Sequence, residues 1–428
     1  MPIIFVSVMR DDEQTIKQAY EAGAVDFLAR PVEPMVLRSK LELFATLYHE
    51  TKAARYGQQA AEAAAGASLA ADAFFSNSDA RKRRFNMMLS TPLQMMGAPG
   101  SPYTRKMRAI LRYRRIPYHF IQQNSPEAAK MPRARVPLLP TFYLPDETGE
   151  IVPVTDSTPL IRRFEGAFKE NSIIPVNPAM AFLDELIEDY ADEWLTKCMF
   201  HYRWYHEADA TKARNVLPHW AMASVTDDKI APIQKMIGDR QIERLSVVGS
   251  NDVTASVIEE SYRRFVDAFD AQLQNSRFLF GRRPASSDFA IMGQLTCLVL
   301  FDPTPAAVTL ERSPRICAWT EVLEDLSGME PGDGDWASPE EIFDTFRALL
   351  EEVGRFHAPF LLANARAIEQ KAEKVETEIA GRPWIQKPFP YQRKCLGWLR
   401  ESYAGLDPEA RKTVDGVLAG TGCEVLFS

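Results

Sequence analysis

Two hydrophobic periods divide this chain. In the first 155 positions short runs of β-branched and aliphatic residues alternate with helical patterns, and apolar residues at three- and four-residue spacing dominate from Pro178 onward. Ile3 to Val8 and Ala24 to Leu28 read as short buried parallel strands. Each is followed by a predicted helix, Asp12 to Gly23 and Pro34 to Tyr48. Residues 51–85 are alanine-rich and end at Arg81-Lys82-Arg83-Arg84, which suits a linker or a frayed helix with a solvated end. Leu93 to Met96 is a strand, and Gly97-Ala98-Pro99-Gly100 a turn. A helix then opens at Pro102, where the missing N–H costs nothing, and runs to about Arg115 with Tyr103, Met107, Ile110 and Leu111 on one face. Ile116 to Phe120 begins a second strand, and Leu138 to Leu144, interrupted by Pro140, is a third. Pro145 to Gly149 is a hairpin turn and Glu150 to Val154 the returning strand. Asp156-Ser157-Thr158-Pro159 caps a helix that buries Leu160, Ile161 and Phe164.

Beyond Pro178, Phe182, Leu183, Leu186, Ile187, Tyr190, Trp194 and Leu195 form an apolar stripe backed by Asp184, Glu185, Glu188, Asp189 and Glu193. Phe289 to Phe301 is the longest nearly apolar run, too short for a bilayer and read as a buried helix. Pro339 to Lys374, Gln392 to Tyr403 and Pro408 to Leu418 read as further helices, with Gly381-Arg382-Pro383-Trp384 as a turn.

Length and composition change this picture little. The 428 residues, 46% hydrophobic and 25% charged, suit two to three soluble domains. A net charge of −8 offers no general attraction to nucleic acid or to an acidic membrane, so neither is expected as a partner. The N-terminus lacks a basic region and a small-residue cleavage site, so no signal peptide is expected. The five scattered cysteines fit a reducing cytoplasm.

The candidate chemistry begins at Ser101. It stands at a helix start whose free N–H groups and dipole favour an anion, so its hydroxyl either holds a thiolate or only caps the helix. Arg105, Arg108, Arg112 and Arg115 make one stripe on that helix, read as a solvated face, with an anion-attracting rim as the alternative. His201 and His206 lie five apart with no H-E-x-x-H motif, so no metal site is expected.

The order β-α-β then β-β-α, with Ser101 at the first helix start, Val136-Pro137 before the third strand and Asp156-Ser157 at the next helix, resembles the N-terminal domain of cytosolic glutathione transferases. The helical half beyond it agrees, as does Gly281-Arg282-Arg283-Pro284-Ala285-Ser286-Ser287-Asp288, which is similar to that family's turn into its central buried helix. The serine three before the family's aspartate is Ala285 here, so either Ser286 substitutes as the cap or the cap is lost, and Asp288 is a structural acid.

The resemblance implies an α/β thioredoxin-like domain at 86–168, then an enlarged all-α domain at 178–428 with a tail like extensions in some bacterial relatives. It implies glutathione as co-substrate, no metal, a small electrophile as partner, and a homodimer in the cytoplasm. By the family pattern Ser101 contacts the glutathione sulfur and Pro137 is the cis-proline, with Pro140 the alternative. Val136 holds the cysteinyl backbone, and Asp156 and Ser157 bind the γ-glutamyl end. The second-substrate pocket would draw on Tyr103, Tyr202 and Trp204, with ordinary core packing as the other reading of the aromatic cluster at 200–205. The implied activity is attack of the glutathione thiolate on the electrophile, the alternative being a non-catalytic binding or regulatory protein on the same fold. Serine in place of cysteine argues against thiol–disulfide chemistry.

Residues 1–50 resemble the last two βα units of a response-regulator receiver domain, through Pro2-Ile3-Ile4-Phe5-Val6-Ser7, Ala22 to Leu28 and Arg30-Pro31. Ser7 and Phe27 take the positions of the switch residues, and Arg30 replaces the family's lysine. The units bearing the phosphoacceptor have no counterpart, so a truncated fragment is expected: a relic, a mis-started gene model or a docking surface, not a phospho-switch.

Overall fold

The computed structural model describes residues 4–7 and 26–29, and residues 89–428 apart from 343. The chain forms two compact units, 1–76 and 77–428. In the first, β1 (Ile4–Ser7) and β2 (Asp26–Ala29) pair in parallel with Phe5 opposite Phe27. The helices expected over 12–23 and 34–48, and the alanine-rich 51–85, lie outside the described residues.

The second unit opens with β3 (Leu93–Gly97), whose Leu93, Met95 and Gly97 turn inward. α1 (Pro102–Tyr113) crosses over to β4 (Tyr118–Gln122), which pairs with β3 in parallel, as a right-sized helical crossover permits. One 3-10 turn, Ala128–Lys130, lies between β4 and β5 (Thr141–Pro145). β6 (Ile151–Val154) returns beside β5 around a turn in which the Asp146 carboxylate accepts from the N–H of Thr148 at 2.8 Å and of Glu150 at 3.1 Å. α2 (Ser157–Ala167) comes next. The sheet order is β4-β3-β5-β6, with β5 antiparallel to both neighbours. This is the expected thioredoxin-like arrangement around a mixed sheet.

The helical region continues through α3 (Pro178–Tyr190), a π-helical turn at Ala191–Leu195, α4 (Thr196–Tyr205), α5 (Glu207–Val216), α6 (Asp227–Glu243), α7 (Ala255–Asn275) and α8 (Ser286–Leu298). Then come α9 (Pro303–Arg312), α10 (Pro314–Leu323), α11 (Asp344–Glu352), a second π-helical turn at Val353–His357 and α12 (Ala358–Glu369). A hairpin of β7 (Val375–Ile379) and β8 (Arg382–Gln386) precedes α13 (Pro390–Ala404) and α14 (Pro408–Leu418). Among the described residues no single helix is long and apolar enough to cross a membrane.

Every residue of α8 is buried, as the apolar run from Phe289 requires. Gly293 brings α8 against the first turn of α1: a Cβ there would stand 2.7 Å from the Pro102 carbonyl oxygen and 3.0 Å from Lys106 Cβ. Asp288 enters the helix start as a structural acid, accepting from Ala285 N–H at 2.8 Å and Leu279 N–H at 3.1 Å. Ser286 is not the substitute cap. Its hydroxyl turns inward to the Asp184 and Glu188 carboxylates at 2.7 and 2.9 Å.

Two further expectations are corrected. The C-terminal region is helical but not all-α: Val375 and Ile379 are buried while Glu376 and Glu378 are exposed, the two-residue period of a strand. Ala380 and Gly381 carry the positive φ values, 51° and 73°, of a two-residue hairpin turn. Of the acidic residues backing the α3 stripe, Asp184, Glu188 and Glu193 are buried, as is Asp192 of the π turn. α1, α8 and the C-terminal extension cover that side. Second, the arginine stripe of α1 is not a solvated face but is largely taken up by the loop after α10. Arg105 pairs with Glu324, Arg112 donates to the Glu324 carbonyl at 2.9 Å, and Arg115 pairs with Glu330 at 2.6 Å.

Residues 338–428 belong to the same core. Trp194 of the first π turn packs on Phe356 of the second, ring centroids 6.0 Å apart, and on Trp384 at 5.4 Å. Gly354 allows the second π turn to meet the backbone at Thr421, whose carbonyl oxygen lies 2.1 Å from where a Cβ would be.

Candidate functional site

Ser101 is the N-cap of α1: its hydroxyl oxygen accepts the Thr104 N–H at 3.2 Å, satisfying one of the helix's free donors. The turn before it is held from several sides. Arg105 Nε donates to the Pro99 carbonyl at 2.9 Å and Arg203 Nη1 to the Gly100 carbonyl at 2.8 Å. Arg203 of α4 is fixed by the Asp302 carboxylate, with Nε 3.0 Å from both oxygens, and both side chains are buried. Burial pushes Asp302 up to about 6 against the opposing pull of Arg203. Trp220 and Leu217 pack on the turn so closely that a Cβ on Gly100 would stand 2.5 and 2.7 Å from their side chains. No local pattern in the sequence points to Arg203, Asp302, Leu217 or Trp220, because their pairing with this turn spans about a hundred residues or more.

Strand register brings the Asp156–Ser157 pair to the same end of the sheet as Ser101. Met96, next to the turn, pairs with Thr141 at the start of β5, and Phe142 pairs with Val154 at the end of β6. The residues just before β5 and just after β6 therefore share the edge where α1 begins. The cis peptide bond before β5 is Leu139–Pro140 and not Val136–Pro137. Assigning it to Pro137 is corrected by three residues: the strand starts at Thr141, so the proline that abuts it is Pro140. Val136 and Pro137 sit in an exposed stretch, and the Val136 carbonyl accepts the Leu138 N–H at 2.9 Å.

After β6, Asp156 adopts φ 83°, ψ 113°, uncommon for a residue with a side chain. Its Oδ2 accepts the Tyr391 hydroxyl at 2.8 Å. Burial raises the Asp156 pKa, with Tyr391 and Lys394 opposing. Ser157 opens α2 and is 7% exposed.

Beneath this edge lies a buried ionic group. Lys106 Nζ donates to Glu188 Oε1 at 2.7 Å and to Asp192 Oδ2 at 2.6 Å. Burial lowers the Lys106 pKa, but Asp192 and Glu188 more than compensate and hold it above its ordinary value. Burial raises the Asp192 carboxyl, while Glu188, though equally buried, is held low by Lys106 and Arg162. Thr158 of α2 donates to Glu188 Oε1 at 3.3 Å, tying the group to the start of α2.

The three residues expected to line a second-substrate pocket do not converge. Tyr103 donates its hydroxyl to the Asp192 carbonyl at 2.6 Å. Tyr202 is buried against His206 and Tyr262, with centroids 5.4 Å away in each case. Trp204 belongs to a separate apolar cluster with Ala210 and Ala213. A surface depression of about 480 Å³ is lined by Pro92, Arg112, Tyr118 and Ser327 among others, without Ser101, Asp156 or Ser157.

The sheet and its two helix starts, one with a hydroxyl and one with an acidic–serine pair, define a thioredoxin-like domain joined to a helical region. Residues 95–172 match the family model described as the glutathione S-transferase N-terminal domain. No curated protein matches the chain. A glutathione transferase family member from Pseudomonas fluorescens, solved with two glutathione bound, is 12% identical over 54% of this chain and 87% of its own, TM-score 0.34. A glutathione S-transferase from Rhodospirillum rubrum is 16% identical over 57% of this chain and 96% of its own, TM-score 0.35. FzlA from C. crescentus is 17% identical over 57% and 96%, TM-score 0.31.

Proposed function

We propose that this is a glutathione transferase-like protein that binds glutathione along the sheet edge shared by Ser101 and Asp156–Ser157 and activates its thiol toward a small electrophile. What carries the reading is the strand register, which aligns the starts of α1 and α2 at one end of the sheet. A free thiol has a pKa of about 8.5, and a helix N-terminus with an oriented hydroxyl donor lowers it. Ser101 accepts from Thr104 and keeps its own O–H to donate to a thiolate. Ser157 and the first N–H groups of α2 suit the γ-glutamyl carboxylate, and Asp156 the ammonium beside it.

Titration calorimetry with glutathione tests binding, and no heat at millimolar ligand overturns the reading. A conjugation assay comparing wild type with Ser101→Ala then tests catalysis. The expected result is retained binding with a large loss of rate.

One observation favours a second reading, a non-catalytic protein on the same fold: Tyr391 already occupies the Asp156 carboxylate. Glutathione binding without turnover in wild type supports it.

A further inference from the structure

Five residues is a poor spacing for two ligands on one helix face, and that is the sequence argument against His201 and His206. The fold removes the objection. α4 ends at Tyr205, and His206 is its C-cap with extended backbone, φ −87° and ψ 128°, so its ring is no longer bound by helical spacing. Glu259 reaches the same place from the first turns of α7. One ligand atom each of His201, His206 and Glu259 falls within 4.8 Å of the others.

The contacts have the form of an empty coordination sphere more than of an ion pair. Glu259 Oε1 lies 3.2 Å from His206 Nε2 and 3.6 Å from His201 Nε2. Yet neither ring nitrogen has a hydrogen-bond partner, although both are buried. Ligands about 2.0–2.1 Å from a tetrahedral zinc stand about 3.3 Å apart, close to these distances. Neighbouring side chains hold the two rings and the carboxylate in place. His201 Nδ1 is 2.7 Å from the buried Ser250 hydroxyl, which fixes the ring with Nε2 toward Glu259. Arg263 donates to the other carboxylate oxygen, Oε2, at 3.4 Å, leaving Oε1 free. Tyr205 stacks on His201 at 4.6 Å and Tyr202 on His206 at 5.4 Å, which restricts both rings.

We propose that His201, His206 and Glu259 bind a divalent first-row transition metal of the zinc type, with the fourth position open. Two imidazoles and one carboxylate form a borderline donor set that suits zinc better than calcium or magnesium. The partial exposure of His206 and Glu259, 29% and 25% of their side chains, provides an entry path and room for a water ligand. The site bridges the end of α4 and the start of α7.

The full-length protein, stripped with chelator, is titrated with cobalt(II) followed by visible absorption, and then with zinc in competition. Wild type should take up one equivalent in a low-symmetry site displaced by zinc, and zinc should raise the melting temperature. His206→Ala and Glu259→Gln, both at partly exposed positions, should each weaken cobalt binding at least about tenfold and abolish the zinc-dependent rise. His201→Ala is the more disruptive variant because its ring is fully buried. No uptake by wild type at excess metal overturns the proposal, as does unchanged affinity in folded His206→Ala and Glu259→Gln.

Discussion

The hydroxyl of Tyr391 donates to the Asp156 carboxylate at 2.8 Å across 235 residues of chain. The start of α13 thereby reaches the edge where α2 begins, and the C-terminal extension engages the residue expected to meet the amino end of glutathione. Neighbouring contacts hold it there: Gln392 donates to the Glu193 carbonyl at 3.2 Å and Ser402 to the Glu185 carboxylate at 3.1 Å.

Tyr391→Phe should therefore strengthen glutathione binding while lowering stability. A hydrogen bond to a charged group is worth about 1.5–3 kcal/mol net. Freeing Asp156 should raise affinity about tenfold, the equivalent of about 1.4 kcal/mol. Calorimetry checks the first effect and chemical denaturation the second. Equal affinities in the two proteins would show that Tyr391 and the ligand do not compete.

Arg203→Lys should damage the Ser101 turn although charge is kept. The guanidinium spans the Asp302 carboxylate and the Gly100 carbonyl at once, which a single ammonium does not reproduce. Asp302 would be left buried and poorly paired. Removing one partner of such a pair costs about 3–5 kcal/mol, and the lysine variant should lose a substantial part of that in a urea melt.

Gly293→Ala should force α8 away from α1. The added Cβ meets backbone oxygen at 2.7 Å, and backbone cannot yield as a flexible side-chain tip does. Overpacking of this kind costs about 1–3 kcal/mol. Since the strain falls on the first turn of α1, glutathione binding should weaken together with the melting temperature. A neutral result in both measurements would mean that the helices separate freely.

Stability should fall as pH rises from mildly acidic to alkaline. Burial pushes Asp288 up to about 8, and burial with the nearby Glu188 pushes Asp184 up to about 6. Unfolded aspartate titrates near about 3.9, so the folded state binds these protons more tightly. The stabilisation is fully present below about pH 4, and is lost as pH rises through the folded values. Calorimetric melting between about pH 5 and pH 9 checks the sign. Asp288→Asn should flatten the upper part of the curve, at the cost of one of the two N–H contacts.

Local chemistry is legible in the sequence wherever one segment decides it. The Ser101 cap, the Asp146 turn, Pro102 at a helix start and the Asp288 acid all depend on residues within a few positions of each other. The sheet order can be expected because strand, turn and helix signals succeed one another from Leu93 to Phe164. The period-2 pattern of Val375–Ile379 is also present, but lies hidden beside helical neighbours and a turn whose Ala380 is an unusual left-handed residue.

The sequence alone therefore determined the elements of the thioredoxin-like half and the helical character of the region beyond Pro178, because caps, turns and hydrophobic period act over a few residues. Tertiary structure decided what each polar face meets. It buried Glu188 and Asp192 around Lys106, gave the α1 arginines to a distant loop, and brought Tyr391 to Asp156. It also gathered His201, His206 and Glu259 into one cluster. A charged residue reads as solvated until the element that covers it is known, and here those elements lie scores to hundreds of residues away. No periodicity encodes contacts at that range.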